Sequence, residues 1–204
     1  MLSRARILIC CIVLIHLAVY SRAQSSDPQE LSNRKDTLFL DKNRNFFNVS
    51  YFIKNKLQYI NYFKNNRMIE TVSFQDNGNK EQILFLNDSD GGKDMEVNYY
   101  PSGKIRSINY YFGLFMIPDT VKSPYGPGFA GKLDGHSVEY YENGNESSEY
   151  TFINGKLNGM FEEFYPNGKL KTQGYYYNGV KKGILIDYNE KGIITKQDTL
   201  FLKH

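Results

Sequence analysis

Tryptophan is absent from this 204-residue chain, and cysteine and histidine are nearly so. The two cysteines, Cys10 and Cys11, sit together near the start, and the three histidines are His16, His136 and His204. A structural zinc site needs four clustered nitrogen or sulfur ligands. An activated nucleophile needs a base within reach. Neither arrangement can be assembled from these residues, and no G-x-S-x-G elbow occurs. The sequence therefore offers no catalytic residue, no metal ligand and no cofactor site. His136, beside a glycine of the repeat described below, reads as a strand residue.

An excess of charge is also missing. Lys and Arg number 25 against 22 Asp and Glu, a formal net charge of +3. The opening residues explain that surplus. Arg4 and Arg6 precede a 14-residue apolar run, Ile7 to Tyr20, and Ser21-Arg22-Ala23 supplies small residues for cleavage. This is the pattern of a secretory signal peptide over residues 1–23, and the run is shorter than the roughly 20 residues of a membrane span. Removing it takes Arg4, Arg6 and Arg22 away, leaving 22 basic against 22 acidic residues, a net charge of 0. A neutral chain without a basic stripe argues against nucleic acid and anionic membrane as partners. Both cysteines leave as well, so no disulfide framework is expected in the exported protein. Residues 24–36 are polar and aperiodic and read as a linker.

What the chain has is glycine at a fixed period. Phe129–Phe152, Ile153–Tyr176 and Tyr177–Leu200 align without gaps as three 24-residue copies. Their glycines fall in three columns: Gly131, Gly155, Gly179; Gly135, Gly159, Gly183; and Gly144, Gly168, Gly192. Such a period marks a repeat architecture. In the middle copy, Met160 to Tyr165 and Leu170 to Tyr176 are short runs rich in aromatic residues, separated by Pro166-Asn167-Gly168-Lys169. Asn-Gly is a strong hairpin signal because both residues tolerate positive φ. Asn178 to Gly183 then turns the chain into the next copy, so each copy is predicted to be one β-hairpin in a meander. Tyr140, Phe164 and Tyr188 share one position, each preceded by an acid: Glu139, Glu163, Asp187. Strand neighbours point to opposite faces, which predicts an aromatic row on one face and an acidic row on the other.

Asn154-Gly155-Lys156-Leu157-Asn158-Gly159 followed by Tyr165-Pro166-Asn167-Gly168-Lys169-Leu170 resembles the MORN repeat, in the bacterial variant of the antitoxin-like YwqK family. The resemblance covers residues 129–200 and fades upstream. It implies an all-β fold, a single elongated antiparallel sheet, and a role in interaction, with no catalytic residues to carry over.

The repeat extends backwards with less fidelity. Tyr100-Pro101-Ser102-Gly103 matches Tyr165-Pro166-Asn167-Gly168, Asp76-Asn77-Gly78 is the turn before it, and Lys54-Asn55-Lys56-Leu57 is a decayed Asn-Gly-Lys-Leu. Asp36-Thr37-Leu38-Phe39-Leu40 recurs as Asp198-Thr199-Leu200-Phe201-Leu202 at an offset of 162. Removing a 17-residue insertion and one extra residue leaves 144, six periods of 24. Residues 37–202 are thus read as six hairpin units closed by matching strands. The insertion, Phe112 to Gly128, carries Leu114, Phe115, Met116, Ile117 and Tyr125. It is read as a binding loop, the alternative being a hairpin extension folded over the aromatic face.

Three lesser motifs have plain readings. Asn87 to Asp94 imitates part of a calcium loop, but Val97 stands where its closing Glu belongs, so it reads as a turn. The sequons at Asn48, Asn87 and Asn145 are expected to stay unused, since the resemblance is to bacterial proteins. The acidic row has the spacing of paired carboxylates but sits on an open sheet with nothing to desolvate it, so it reads as a solvated face. The expectation is an exported, non-catalytic repeat protein that binds another protein, located in the periplasm, at the cell surface or outside. Two alternatives are an antitoxin or immunity protein neutralising a toxin, and a glycan-binding surface.

Overall fold

The computed structural model describes residues 33–87, 92–117 and 128–200. The signal-peptide reading, most of the linker, Tyr125 and residues 201–204 lie outside them. The described residues form one open antiparallel sheet of 15 strands. In order they are β1 Asn33–Phe39, β2 Phe46–Ile53, β3 Lys56–Lys64, β4 Arg67–Phe74, β5 Lys80–Phe85, β6 Asp94–Tyr99, β7 Ile105–Ile117, β8 Gly128–Leu133, β9 Gly135–Tyr140, β10 Glu146–Ile153, β11 Lys156–Leu157, β12 Gly159–Phe164, β13 Leu170–Tyr177, β14 Val180–Tyr188 and β15 Ile194–Leu200. Both β8 and β9 pair with β7, and both β11 and β12 pair with β10, so each couple is one strand interrupted at a single residue. Fifteen segments thus occupy thirteen positions: six hairpins behind a leading strand, β1. Close contacts between strands run overwhelmingly between sheet neighbours, so the sheet is a single layer. β1 starts at Asn33, inside the predicted linker, because Asn33 to Asp36 pair with Ile53 to Ser50.

Two turn types alternate, and they divide the glycine columns by role. Gly78, Gly103, Gly144, Gly168 and Gly192 each donate their amide to the carbonyl three residues back, at 2.8–2.9 Å. Only the glycine has positive φ in these turns, as with Gly168 at 79°. This is a three-residue loop closed by a glycine bulge, so Asn167 does not adopt the left-handed conformation the sequence suggested. The opposite edge carries two-residue turns in which both residues do: Asn154 (51°) with Gly155 (80°), and Asn178 (51°) with Gly179 (85°). Asn65-Asn66 takes the same conformation on this edge without glycine, and Lys54-Asn55 takes it on the edge of the glycine-bulge turns, where β2 passes into β3.

The other two columns need correcting. Gly131 is not at a turn, because β7 runs on past Tyr111 and β8 pairs with it, moving the reversal beyond Ile117. Gly135, Gly159 and Gly183 lie at strand breaks or inside a strand rather than in turns, with φ of 126°, 128° and 72°. They let the strand jog where its pairing register changes.

One row of residues threads the whole sheet. Asp36, Ser50, Ile60, Val72, Ile83, Val97, Ile108, Val138, Glu149, Glu162, Gln173, Ile186 and Gln197 are successive cross-strand partners. Partners directly opposite share a face. Ile60, Val72, Ile83 and Val97 form the core with Tyr62, and Phe46, Leu57, Phe74, Phe85 and Tyr99 close over it. Long side chains flanking a β-branched row seal it without a second layer, and Val72 is 0% exposed. From Glu149 onward the same row is half-buried or exposed.

Candidate binding face

The core face, followed past β9, opens. Met160 and Tyr175 face each other across β12 and β13, and Tyr177 and Val180 across β13 and β14. Alternation along β10 and β14 puts Ile153 and Ile184 on this side too. All six are exposed, Met160 at 59% and Tyr177 at 53%, whereas Tyr62 in the sealed half is at 3%. Single exposed apolar residues are ordinary, but a contiguous group on one face marks an interaction surface. Lys182 sits over the Tyr177 ring, 4.2 Å from its centroid.

Beside this stripe lies a band of acid. Glu149 and Glu162 are directly opposite across β10 and β12. The His136 Nε2 lies 3.3 Å from the Glu149 carboxylate. Burial and then the neighbouring Glu149 hold the Glu146 carboxyl above its ordinary value. Like charges opposed on a sheet cost stability, and here they border an exposed apolar area.

The opposite face carries an internally bonded polar row beside a packed aromatic cluster, Tyr150, Phe161 and Tyr176, in which Phe161 is buried. Ser107, Glu139, Ser148, Glu163, Thr172, Asp187 and Lys196 are successive partners across it. The acidic row therefore lies opposite the aromatic one, as expected. It is not simply solvated: Thr172 donates to Asp187 at 2.9 Å and Tyr150 to Glu163 at 2.7 Å. Further along, Glu96 accepts four side-chain hydrogen bonds, from Gln82, Asn98, Asn109 and Tyr111, at 2.8–3.1 Å. Burial and then Glu96 push the Tyr111 hydroxyl pKa up. A carboxylate so fully engaged is a structural node. Sequence reading missed it because these residues meet only once the register is known.

The insertion takes the form of a hairpin extension, not a loop from Phe112 onward. Leu114, Phe115, Met116 and Ile117 belong to β7, with Phe115, Met116 and Ile117 paired to Ala130, Phe129 and Gly128. Its root is anchored: one oxygen of buried Asp94 accepts the Leu114 amide and the other the Asn87 amide, both at 2.8 Å. Asp94 thus ties Asn87 to Leu114; residues 88–91, the middle of the segment read above as a turn, lie outside the described residues. Among the described residues no group of three or more His, Cys, Asp and Glu could hold a metal ion, and no helix is long and apolar enough to cross a membrane.

No protein-family model matches the chain, and no curated protein matches it.

Proposed function

We propose that this is an exported, non-catalytic MORN-like repeat protein whose work is to bind another protein. The observation that carries the reading is the exposed apolar stripe Ile153, Met160, Tyr175, Tyr177, Val180 and Ile184, on the face that is core elsewhere in the same sheet. The N-terminal hairpins act as the stable support and the C-terminal hairpins as the contact area. The flanking Glu146, Glu149 and Glu162 select a partner with apolar side chains beside Lys or Arg. The β7–β8 extension supplies a second element of the contact. Neutralisation of a toxin is one form such binding would take. Two exposed tyrosines, Tyr175 and Tyr177, favour a second reading, stacking on a glycan.

The test is a pull-down from the native envelope fraction with the wild-type chain and with a Met160→Ser, Tyr175→Ser, Ile184→Ser variant. Loss of the captured protein by the variant supports the reading. Identical recovery removes the stripe as the binding face, and retention on a glycan array without protein capture favours the second reading.

A further inference from the structure

The two ends of the sheet carry a sequence that its interior does not. In β15, Asp198-Thr199-Leu200 repeats Asp36-Thr37-Leu38 of β1. The interior strands holding the same place have Gly174-Tyr175-Tyr176 and Tyr150-Thr151-Phe152. Among the described residues neither β1 nor β15 has a strand on its outer side. An open edge is a row of unpaired backbone groups, and proteins either blunt it or use it.

The residues of β15 read Ile194-Thr195-Lys196-Gln197-Asp198-Thr199-Leu200. Laid antiparallel on a second copy about Gln197, this strand is complementary to itself. Lys196 meets Asp198 and Gln197 meets its own counterpart, while Thr199 and Leu200 run on toward the bulged start of the other strand. An opposite-charge pair is favourable across an antiparallel pair. A two-fold axis normal to the sheet keeps each face continuous, so the Lys196–Asp198 contact within one strand, now 2.6 Å, becomes a square of four alternating charges. β15 bulges against β14 beside Thr195. The corresponding strands β10 and β13 bulge at the same place, and their outward pairing resumes one residue later, Ser148 with Glu163 and Thr172 with Asp187. Lys196 therefore starts a regular outer edge.

The other edge combinations oppose like charges in the registers the repeat favours. β1 and β15 run in the same direction, so a head-to-tail join of β15 onto β1 of a second copy is parallel, and aligning the repeated Asp-Thr-Leu sets Asp198 against Asp36. Two copies of β1 centred on Lys35 put that lysine against itself. We propose that the chain forms a two-fold dimer through antiparallel pairing of β15, with β1 as the blunted end. The dimer stops at two copies because its outer ends are both β1. It also joins two C-terminal contact areas into one double-length surface, although the inference itself rests only on the edge strand.

A regular edge running only from Lys196 to Leu200 is smaller than a standard interface of roughly 1,200–2,000 Å², so association is expected to be concentration-dependent. Native mass spectrometry and light scattering on the wild-type chain over about 1–100 µM should show monomer passing into dimer. Lys196→Asp alone or Asp198→Lys alone sets like charges opposite and is expected to weaken the dimer at least about tenfold. The double variant K196D/D198K restores opposite charges across the axis and is expected to recover it. Circular dichroism melts of all four proteins show that the sheet is intact. A monomer throughout, a ladder of higher oligomers, a dimer indifferent to the single reversals, or one that the double reversal does not recover would each overturn the proposal.

Discussion

The Tyr165 hydroxyl donates to the Tyr188 carbonyl, 2.9 Å away and one repeat unit further along the chain. Tyr141 does the same to Phe164 at 2.8 Å, and Tyr100 to Tyr140 at 2.7 Å. Asn143 and Asn145 reinforce the link by donating to the Pro166 carbonyl of the next turn, at 2.7 and 2.8 Å. On the opposite edge, the Gly155 and Gly179 amides donate to Leu133 and Leu157 of the preceding unit. The last units are thus tied to their neighbours at both edges by groups the repeat supplies. Tyr165→Phe keeps the ring and removes only the hydroxyl, and is expected to cost about 0.5–1.5 kcal/mol in a denaturant melt. Tyr175→Phe has an exposed hydroxyl and is expected to be neutral. Equal effects would show that the latch carries no stability.

The turns give a prediction with an internal precedent. At Gly155 the backbone has φ of 80°, and in an earlier unit Asn66 holds the corresponding place at 61°. Gly155→Asn is therefore expected to stay within about 1 kcal/mol of wild type. Gly155→Val strains a left-handed position and should cost about 1–3 kcal/mol. Gly174 is different: a Cβ there would stand 2.7 Å from the Phe161 ring. Gly174→Ala should cost about 1–3 kcal/mol by overpacking. A neutral Gly174→Ala would mean that the ring moves aside freely.

Glu70 gives the pH dependence. It is buried against Tyr62, Tyr99 and Lys80, and burial, opposed by Lys80, pushes its carboxyl pKa up from 4.5 to about 7. The folded chain holds this proton where the unfolded chain has lost it. The contribution is fully present below pH 4.5 and is lost as pH rises through about 7. At one pKa unit per roughly 1.4 kcal/mol, the loss is at most about 3 kcal/mol. Chemical denaturation of wild type and Glu70→Gln between these limits should show a decline that the variant lacks. Parallel profiles would place the titration elsewhere.

Much of this was legible in the sequence because hairpins follow from local chemistry. The columns of Gly144 and Gly155 fix where the chain reverses, and alternation about Tyr140 and Glu139 fixes the faces. Gly131 misled because its role depends on what β7 does beyond Tyr111. Gly183 misled because a glycine in a strand jog has the same sequence signature as one in a turn. Glu70 was invisible: it stands in the column of Gly159, on a face whose closure by Phe74, Phe85 and Tyr99 emerges only from pairing. The exposed stripe was hidden for the same reason, since Met160 and Tyr62 read alike until burial separates them.

The central claim is that one face of one sheet is closed over its first strands and open over its last. Hydroxyl-radical footprinting read by mass spectrometry compares like residues across that divide. Tyr177 should be modified several-fold faster than Tyr62, and Met160 several-fold faster than Met95. Equal rates within either pair would contradict it, showing that the stripe is covered in the protein itself and does not await a partner.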